Sequence, residues 1–257
     1  MISPKKSLGQ NFLTSQKALS SIIHAGNILK DEIVLEIGPG KGALTEKLLE
    51  KGAKVIAIEK DRELIPVLQE KFKEKITSKQ LTLIEGDILE LTVANILKSK
   101  KVKEYKLIAN IPYYITGEII RKFFEEKYQP VRMVLLVQKE VAERIVAKDK
   151  KESILSIACK AYGTPYYIET VKRGSFNPSP NVDSAIILFD CINRDIFGSV
   201  SEELFFKVLK TGFAHKRKKL GGNLSSLKNI LKKPVFEFLK DKRPENLCVK
   251  DWIDLIN

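Results

Sequence analysis

The sequence predicts an α/β fold, a mostly parallel sheet covered by helices, with a small helical domain appended at the C-terminal end. Three observations carry that expectation. Short apolar runs alternate with helical patterns as far as about residue 146. A glycine-rich turn, GPGKG, follows the first core run, and from about residue 195 the pattern becomes helical and basic. The expected cut assigns residues 1–190 to the α/β domain and 191–257 to the helical one.

A helix is expected over 14–29, where Ala18, Leu19, Ile22, Ile23 and Ile28 recur near helical spacing behind an N-cap at Thr14 or Ser15. Residues 32–37 read as a strand, 38–42 as a turn, and 43–51 as a helix ended by Gly52. The unit repeats with a strand at 54–58, a helix near 63–72, a strand at 81–84, a helix near 92–97 and a strand at 105–109. Beyond a turn at Asn110 come a helix at about 116–124, a strand at 131–137 and a helix at 139–146. Strands at 166–171 and 184–189, joined through the loop RGSFNPSPNVD, suit an antiparallel edge on a parallel sheet. In the helical domain, Leu204, Phe205, Val208, Leu209 and Phe213 share one face.

Lysine and arginine total 45 against 32 acidic residues, a formal net charge of +13, which favours a polyanionic partner such as nucleic acid. Cys159, Cys191 and Cys248 are odd in number and far apart, so neither a disulfide framework nor a CxxC metal site is expected, and a reducing cytoplasmic setting fits. With only His24 and His215, no histidine metal site is expected either. No apolar run approaches the ~20 residues of a membrane span, and the start lacks a secretory signal. Without a long heptad pattern, a monomer is expected.

VLEIGPGKGALTEKL reads as a strand, a glycine turn and a helix start, an arrangement that lets backbone approach a nucleotide-like ligand. The glycines at 38, 40 and 42 do not complete G-x-G-x-x-G, because Ala43 ends the third step, and this favours S-adenosylmethionine over a nicotinamide dinucleotide. Glu59, at the end of the next strand, can accept hydrogen bonds from ribose hydroxyls. Asp87, closing the third, can accept from the cofactor's adenine amino group. Any one of these is an ordinary turn or surface acid. Three successive strand ends carrying Gly38 with Gly40, Glu59 and Asp87 form a far more specific set.

The fourth strand runs into Asn110-Ile111-Pro112-Tyr113. An exocyclic adenine amine is a poor nucleophile because its lone pair is delocalised into the ring. An Asn amide oxygen and a backbone carbonyl that accept its hydrogens would restore lone-pair density. Pro112 fixes the direction of the preceding carbonyl, and Tyr113 can stack on the base. Phe176, flanked by Asn177, Pro178, Ser179 and Pro180, is expected in an exposed loop as a second aromatic wall. The expected chemistry is direct methyl transfer, with no metal and no covalent intermediate.

Seven segments occur in an order that resembles the ribosomal RNA adenine N6-dimethyltransferases over nearly the whole chain. They are KSLGQNFL, LEIGPGKGALT, IEKD, EGDIL, NIPYYIT, and FNPSPNVDSAII followed by FAHKRKKLGGNL. The resemblance implies a Rossmann-like methyltransferase in which residues 1–190 bind S-adenosylmethionine and 191–257 bind RNA. It also implies that Asn11 and Leu13 help enclose a cofactor joined to Gly38, Glu59, Asp87 and Asn110, and that Tyr113 and Phe176 hold the target base. Val182-Asp183-Ser184 and the basic helix ending at Asn223-Leu224 resemble the small-subunit housekeeping branch. Tyr114 stands where that branch usually has asparagine, and Gly221-Gly222 where more basic or polar residues are usual. That branch implies dimethylation of two adjacent adenines in the hairpin loop near the 3′ end of small-subunit RNA, on the small subunit or its precursor. Lys216, Arg217, Lys218 and Lys219 would grip phosphates. The competing readings are a large-subunit enzyme of macrolide-resistance type, a non-catalytic assembly factor, and a nicotinamide-dependent oxidoreductase.

Overall fold

The computed structural model describes residues 4–5, 8–215 and 217–256. Along the chain, β1 (Phe12–Leu13) and α1 (Gln16–Gly26) precede β2 (Ile33–Ile37), α2 (Ala43–Glu50) and β3 (Lys54–Glu59). There follow α3 (Leu64–Lys71), α4 (Lys73–Thr77), β4 (Leu81–Glu85), α5 (Val93–Ser99) and β5 (Lys106–Asn110). Next come α6 (Thr116–Glu125), β6 (Arg132–Gln138), α7 (Lys139–Val146) and α8 (Ile154–Tyr162). The last strands are β7 (Thr164–Val171), β8 (Phe176–Asn177) and β9 (Ser184–Asp190). The chain closes with α9 (Glu202–Gly212), α10 (Leu220–Asn223), α11 (Lys233–Leu239) and α12 (Val249–Asp254).

Seven strands form one sheet in the order β4-β3-β2-β5-β6-β9-β7. The pairs among β4, β3, β2, β5 and β6 are parallel, and β9 returns antiparallel against β6. Continuous apolar runs make this possible, because a parallel strand covered on both faces must be apolar on both. Met133 to Val137 in β6 are each 0% exposed, as are Val34 and Leu35 of β2, and Ile37 is 4% exposed. α1 begins where Ser15 Oγ accepts from the Ala18 amide, and it buries Ala18, Leu19, Ile22 and Ile23. It ends earlier than its apolar periodicity suggests, because Asn27 takes the left-handed conformation at φ 45°.

The strand order reverses between β2 and β5. From β2 the chain proceeds outward through β3 to β4, and from β5 it proceeds the other way through β6. Connections on either side of such a point diverge and leave a crevice at the carboxyl ends of the strands. Ile37 pairs with Ala109 in register, so Gly38 and Asn110 emerge side by side at that crevice.

The glycine turn is specified by sterics. Gly42 sits at φ +78°, and a Cβ there would lie 2.5 Å from Phe72 Cε2. Gly42→Ala is expected to destabilise the fold by about 2–4 kcal/mol, combining left-handed strain with an overpacked contact. A urea midpoint unchanged from wild type would contradict this.

The residues group into two compact units. One is formed by the described residues up to Ala142 and by Tyr166–Ile192, the other by Glu143–Pro165 and the described residues from Asn193 onward. The structure thus divides elsewhere than by a single cut at residue 190, because α8 contributes its apolar side to the second unit. There the Tyr162 ring lies 5.3 Å from that of Phe197, which meets Phe205 edge-on, while Phe213 stacks on Trp252 at 5.4 Å. In the first unit, the helix expected over 63–72 is broken at Phe72 into α3 and α4. A two-stranded ribbon, β1 against β8, pairs Phe12 with Asn177 and Leu13 with Phe176. No helix is long and apolar enough to cross a membrane among the described residues.

Candidate active site

Within the first unit, the carboxyl ends of β2, β3, β4 and β5 line a cavity of about 130 Å³, roughly ten times the ~10–15 Å³ that one water needs. Its walls include Gly38, Gly40, Glu59, Asp87, Asn110, Pro112 and Tyr113, bringing together the strand-end residues expected from the sequence. Asn11 joins them from the N-terminal segment.

Glu59 is 5% exposed. One carboxylate oxygen accepts the Gly40 amide at 3.0 Å and the other the Asp61 amide at 2.8 Å. Burial pushes its pKa up, and these amides work against that rise. Gly40, at φ +59°, also makes room for the N-terminal segment, since a Cβ there would fall 2.9 Å from the Phe12 ring. Asp87 accepts the Leu89 amide at 2.9 Å and the Lys60 ammonium at 2.6 Å. Burial opposes its ionisation, yet Lys60 and the amide together hold the carboxyl below its ordinary value.

Asn110 ends β5, and its Nδ2 donates to the Asn11 carbonyl at 3.1 Å. That bond orients the amide and leaves Oδ1 as the group that can accept an amine hydrogen. Pro112, at φ −58°, leads into a single turn formed by Tyr113 to Ile115. Tyr113 is anchored by a 2.6 Å hydrogen bond between its hydroxyl and Ser184 Oγ, a fully buried group at the start of β9. Tyr114, 57% exposed, stands on the cavity rim.

Two expected residues lie elsewhere. Leu13 and Phe176, 6% and 5% exposed, face each other across the β1–β8 ribbon within the hydrophobic core rather than on the cavity wall. The exposed-loop expectation for Phe176 is therefore corrected. Asn177, Pro178 and Ser179 are exposed as expected, but Pro180 is buried and Phe176 pairs with a strand from the other end of the chain. Lys216 lies outside the described residues. Arg217, Lys218 and Lys219 are exposed in the second unit, Lys219 pairing with Asp241 at 2.9 Å. Asn223 Nδ2 donates to the carbonyls of Gly212 and His215, tying this basic stretch to the end of α9.

Sequence reasoning missed Gln10, Asp61 and Ser184. All three lie inside segments that carry the family resemblance, GQNFL, IEKD and NVDSA. Charge offered no separate signal, because Asp61 looks like any acid in a helix-leading turn.

Glu36, 1% exposed within β2, has its Oε2 without a hydrogen-bond partner among the described residues. Burial pushes its pKa up to about 8, with Thr45 pulling the other way and the Glu59 charge adding to the rise. Between about 4.5 and 8 the folded state binds a proton that the unfolded state lacks, so this group's contribution to stability falls as pH rises through that window. The loss is at most about 1.4 kcal/mol per pH unit. Glu36→Gln should therefore melt higher relative to wild type at pH 9 than at pH 6, and parallel melting profiles would contradict the assignment.

Fold and site define an α/β protein with a cavity at its topological switch point and an Asn-x-Pro-Tyr turn on the wall of that cavity. The ribosomal RNA adenine dimethylase family matches residues 1–257. A Dehalococcoides mccartyi protein named ribosomal RNA small subunit methyltransferase A is 41% identical over 254 residues, spanning 96% of this chain and 86% of that one. A Fusobacterium nucleatum protein of the same name is 40% identical, spanning 98% and 96%. A dimethyladenosine transferase from Plasmodium falciparum superposes with a TM-score of 0.79 at 29% identity, each chain covered to 95%. The 23S rRNA methyltransferase ErmE shares the fold, with a TM-score of 0.78 at 21% identity and coverage of 96% and 98%. The chain belongs to the ribosomal RNA adenine dimethylase family. It is an S-adenosylmethionine-dependent methyltransferase of Rossmann-like fold, as its sequence implied.

Proposed function

We propose that this chain methylates N6 of two adjacent adenines in the 3′-terminal hairpin loop of small-subunit (16S) ribosomal RNA, giving N6,N6-dimethyladenosine during ribosome biogenesis. One observation carries the chemistry. Asn110, Pro112 and Tyr113 stand on the wall of the same cavity as Gly38, Glu59 and Asp87. The small-subunit target is supported by the names of the relatives at about 40% identity.

Bound S-adenosylmethionine supplies an electrophilic methyl group. The residues present fit it: Glu59 for the ribose hydroxyls, Asp87 for the adenine amino group, and the Gly38–Gly40 turn for close backbone approach. Asn11 encloses it, and Leu13 supports that wall from beneath. Asn110 Oδ1 and a neighbouring backbone carbonyl accept the hydrogens of the target amine and hold its lone pair toward the methyl group. Tyr113, fixed by Ser184, stacks on the base. The proton leaves to solvent after attack, and neither a metal nor a general base takes part.

Lys216, Arg217, Lys218 and Lys219 grip phosphate and orient the RNA. The protein acts as a cytoplasmic monomer on the small subunit or its precursor. Replacing all four basic residues with Gln should weaken RNA binding for every sequence and reduce the salt slope by about 0.7–0.9 per lost phosphate contact, leaving cofactor affinity unchanged. An unchanged slope would remove them from the interface.

The deciding experiment is transfer of labelled methyl to unmethylated small subunits and, separately, to large-subunit RNA, with nucleoside analysis. N6,N6-dimethyladenosine from small subunits alone is the expected result. Label in large-subunit RNA would instead mark an enzyme of macrolide-resistance type, and label in neither an assembly factor.

A further inference from the structure

Asp61 is the best-connected buried charge at the cavity's edge, and the mechanism above does not use it. It is 2% exposed, two residues beyond the end of β3. Its Oδ1 accepts Lys5 Nζ at 2.6 Å and the Glu63 amide at 3.2 Å, and its Oδ2 accepts Gln10 Nε2 at 2.8 Å. Lys5 and Gln10 are joined in turn, the Lys5 amide donating to Gln10 Oε1 at 2.8 Å. A carboxylate this enclosed is tolerated only when paired, so the three donors and the acid stand or fall together. Burial opposes its ionisation, but Lys5 and Gln10 hold the carboxyl below its ordinary value, keeping it charged at neutral pH.

The network has two outputs. Through its backbone amide, Asp61 fixes one oxygen of Glu59 at 2.8 Å. Through Lys5 and Gln10 it fastens the segment that supplies Leu8 to Phe12 to the cavity wall and offers the Asn11 carbonyl to Asn110. The far end of that segment is held separately, by β1 against β8 and by Thr14 on the Ser175 carbonyl at 2.9 Å. The segment is thus pinned on both sides of the cavity, and Asp61 is the pin on the cofactor side.

We infer that Asp61 is a positioning residue that seats the N-terminal segment over the cavity and sets the hold on S-adenosylmethionine. This rests on reading the cavity as the cofactor site. Asp61 does not line the cavity and reaches the chemical step only through the Asn11–Asn110 bond, so its main effect falls on affinity.

The test compares the full chain with Asp61→Asn, Asp61→Glu and Lys5→Met. It measures calorimetric binding of S-adenosylhomocysteine, KM and kcat for methyl transfer, and melting of the ligand-free protein. Asp61→Asn is expected to raise Kd and the KM for S-adenosylmethionine at least tenfold, with kcat at saturation within threefold of wild type. Asp61→Glu, which keeps the charge, should recover part of the loss. Lys5→Met, which also loses the pairing with exposed Glu63 at 3.0 Å, should raise Kd about threefold alone and add little to Asp61→Asn, because the pair with Asp61 is the buried one. A merely structural role would lower the melting temperature without moving KM, and that result, or additive effects of the two substitutions, overturns the inference. If Asp61→Asn does not fold, Lys5→Met decides alone, since Lys5 is a third exposed, and an unchanged Kd overturns it. Failure of wild type to bind S-adenosylhomocysteine sinks the cofactor reading instead, an outcome separate from wild type and Asp61→Asn binding equally well.

Discussion

Asn110→Ala is expected to lower methyl transfer by about 10²–10³-fold, the range seen when one preorganised group facing developing charge is removed. The side chain that disappears is held by the Asn11 carbonyl at 3.1 Å, so in the native enzyme it costs no reorganisation when the amine arrives. Alanine removes both the acceptor and that orienting bond. Because the Asn110 amide also steadies the N-terminal segment, cofactor affinity should fall as well, but only a few-fold. Single-turnover transfer at saturating cofactor separates the two effects. A rate near wild type would mean that the amine is activated elsewhere, and the Asn-x-Pro-Tyr turn would revert to a structural strand end.

Glu59→Gln is expected to weaken S-adenosylhomocysteine binding by about 100-fold. Hydrogen bonds to a charged group contribute about 1.5–3 kcal/mol each, and every 1.4 kcal/mol is tenfold in Kd. The amide would also turn an NH₂ toward either the Gly40 or the Asp61 amide, each of which now donates to carboxylate oxygen. That conflict is local to the glycine turn. Calorimetry reads the result directly, and a Kd within threefold of wild type would remove Glu59 from the cofactor's ribose. The pH dependence has a definite sign. Burial raises Glu59, so its carboxylate protonates at a higher pH than a free glutamate, and affinity for the cofactor should decline as the medium becomes mildly acidic.

Much of the first unit was legible because its chemistry is local. Parallel strands enclosed on both faces need near-continuous apolar runs, and the runs ending at Ile37, Glu59 and Asn110 announce both the strands and the edge where functional groups collect. What escaped is what depends on residues far apart in the chain. β1 and β8 are two residues each, too short for any periodicity, and they exist only because Leu13 meets Phe176 across the fold. The same pairing explains why Phe176, among prolines, asparagine and serine, is buried. Asp61 was illegible for a related reason, since its partners Lys5 and Gln10 lie more than fifty positions away. Residues 143–165 carry no label that says which core they join.

That interleaving of the two units has a consequence for how the chain is made and cut. α8 is synthesised before β7, β8 and β9, while Phe197 and Phe206, whose rings meet Tyr162 at 5.3 and 6.2 Å, emerge only after them. During translation the apolar side of α8, with Ile157, Ala161 and Tyr162, waits uncovered for its partners, a natural point of engagement for a chaperone. A stop codon placed after Ile192 would make that exposure permanent. A free-standing catalytic unit would have to be spliced, with 143–165 replaced by a short polar bridge, and not simply shortened.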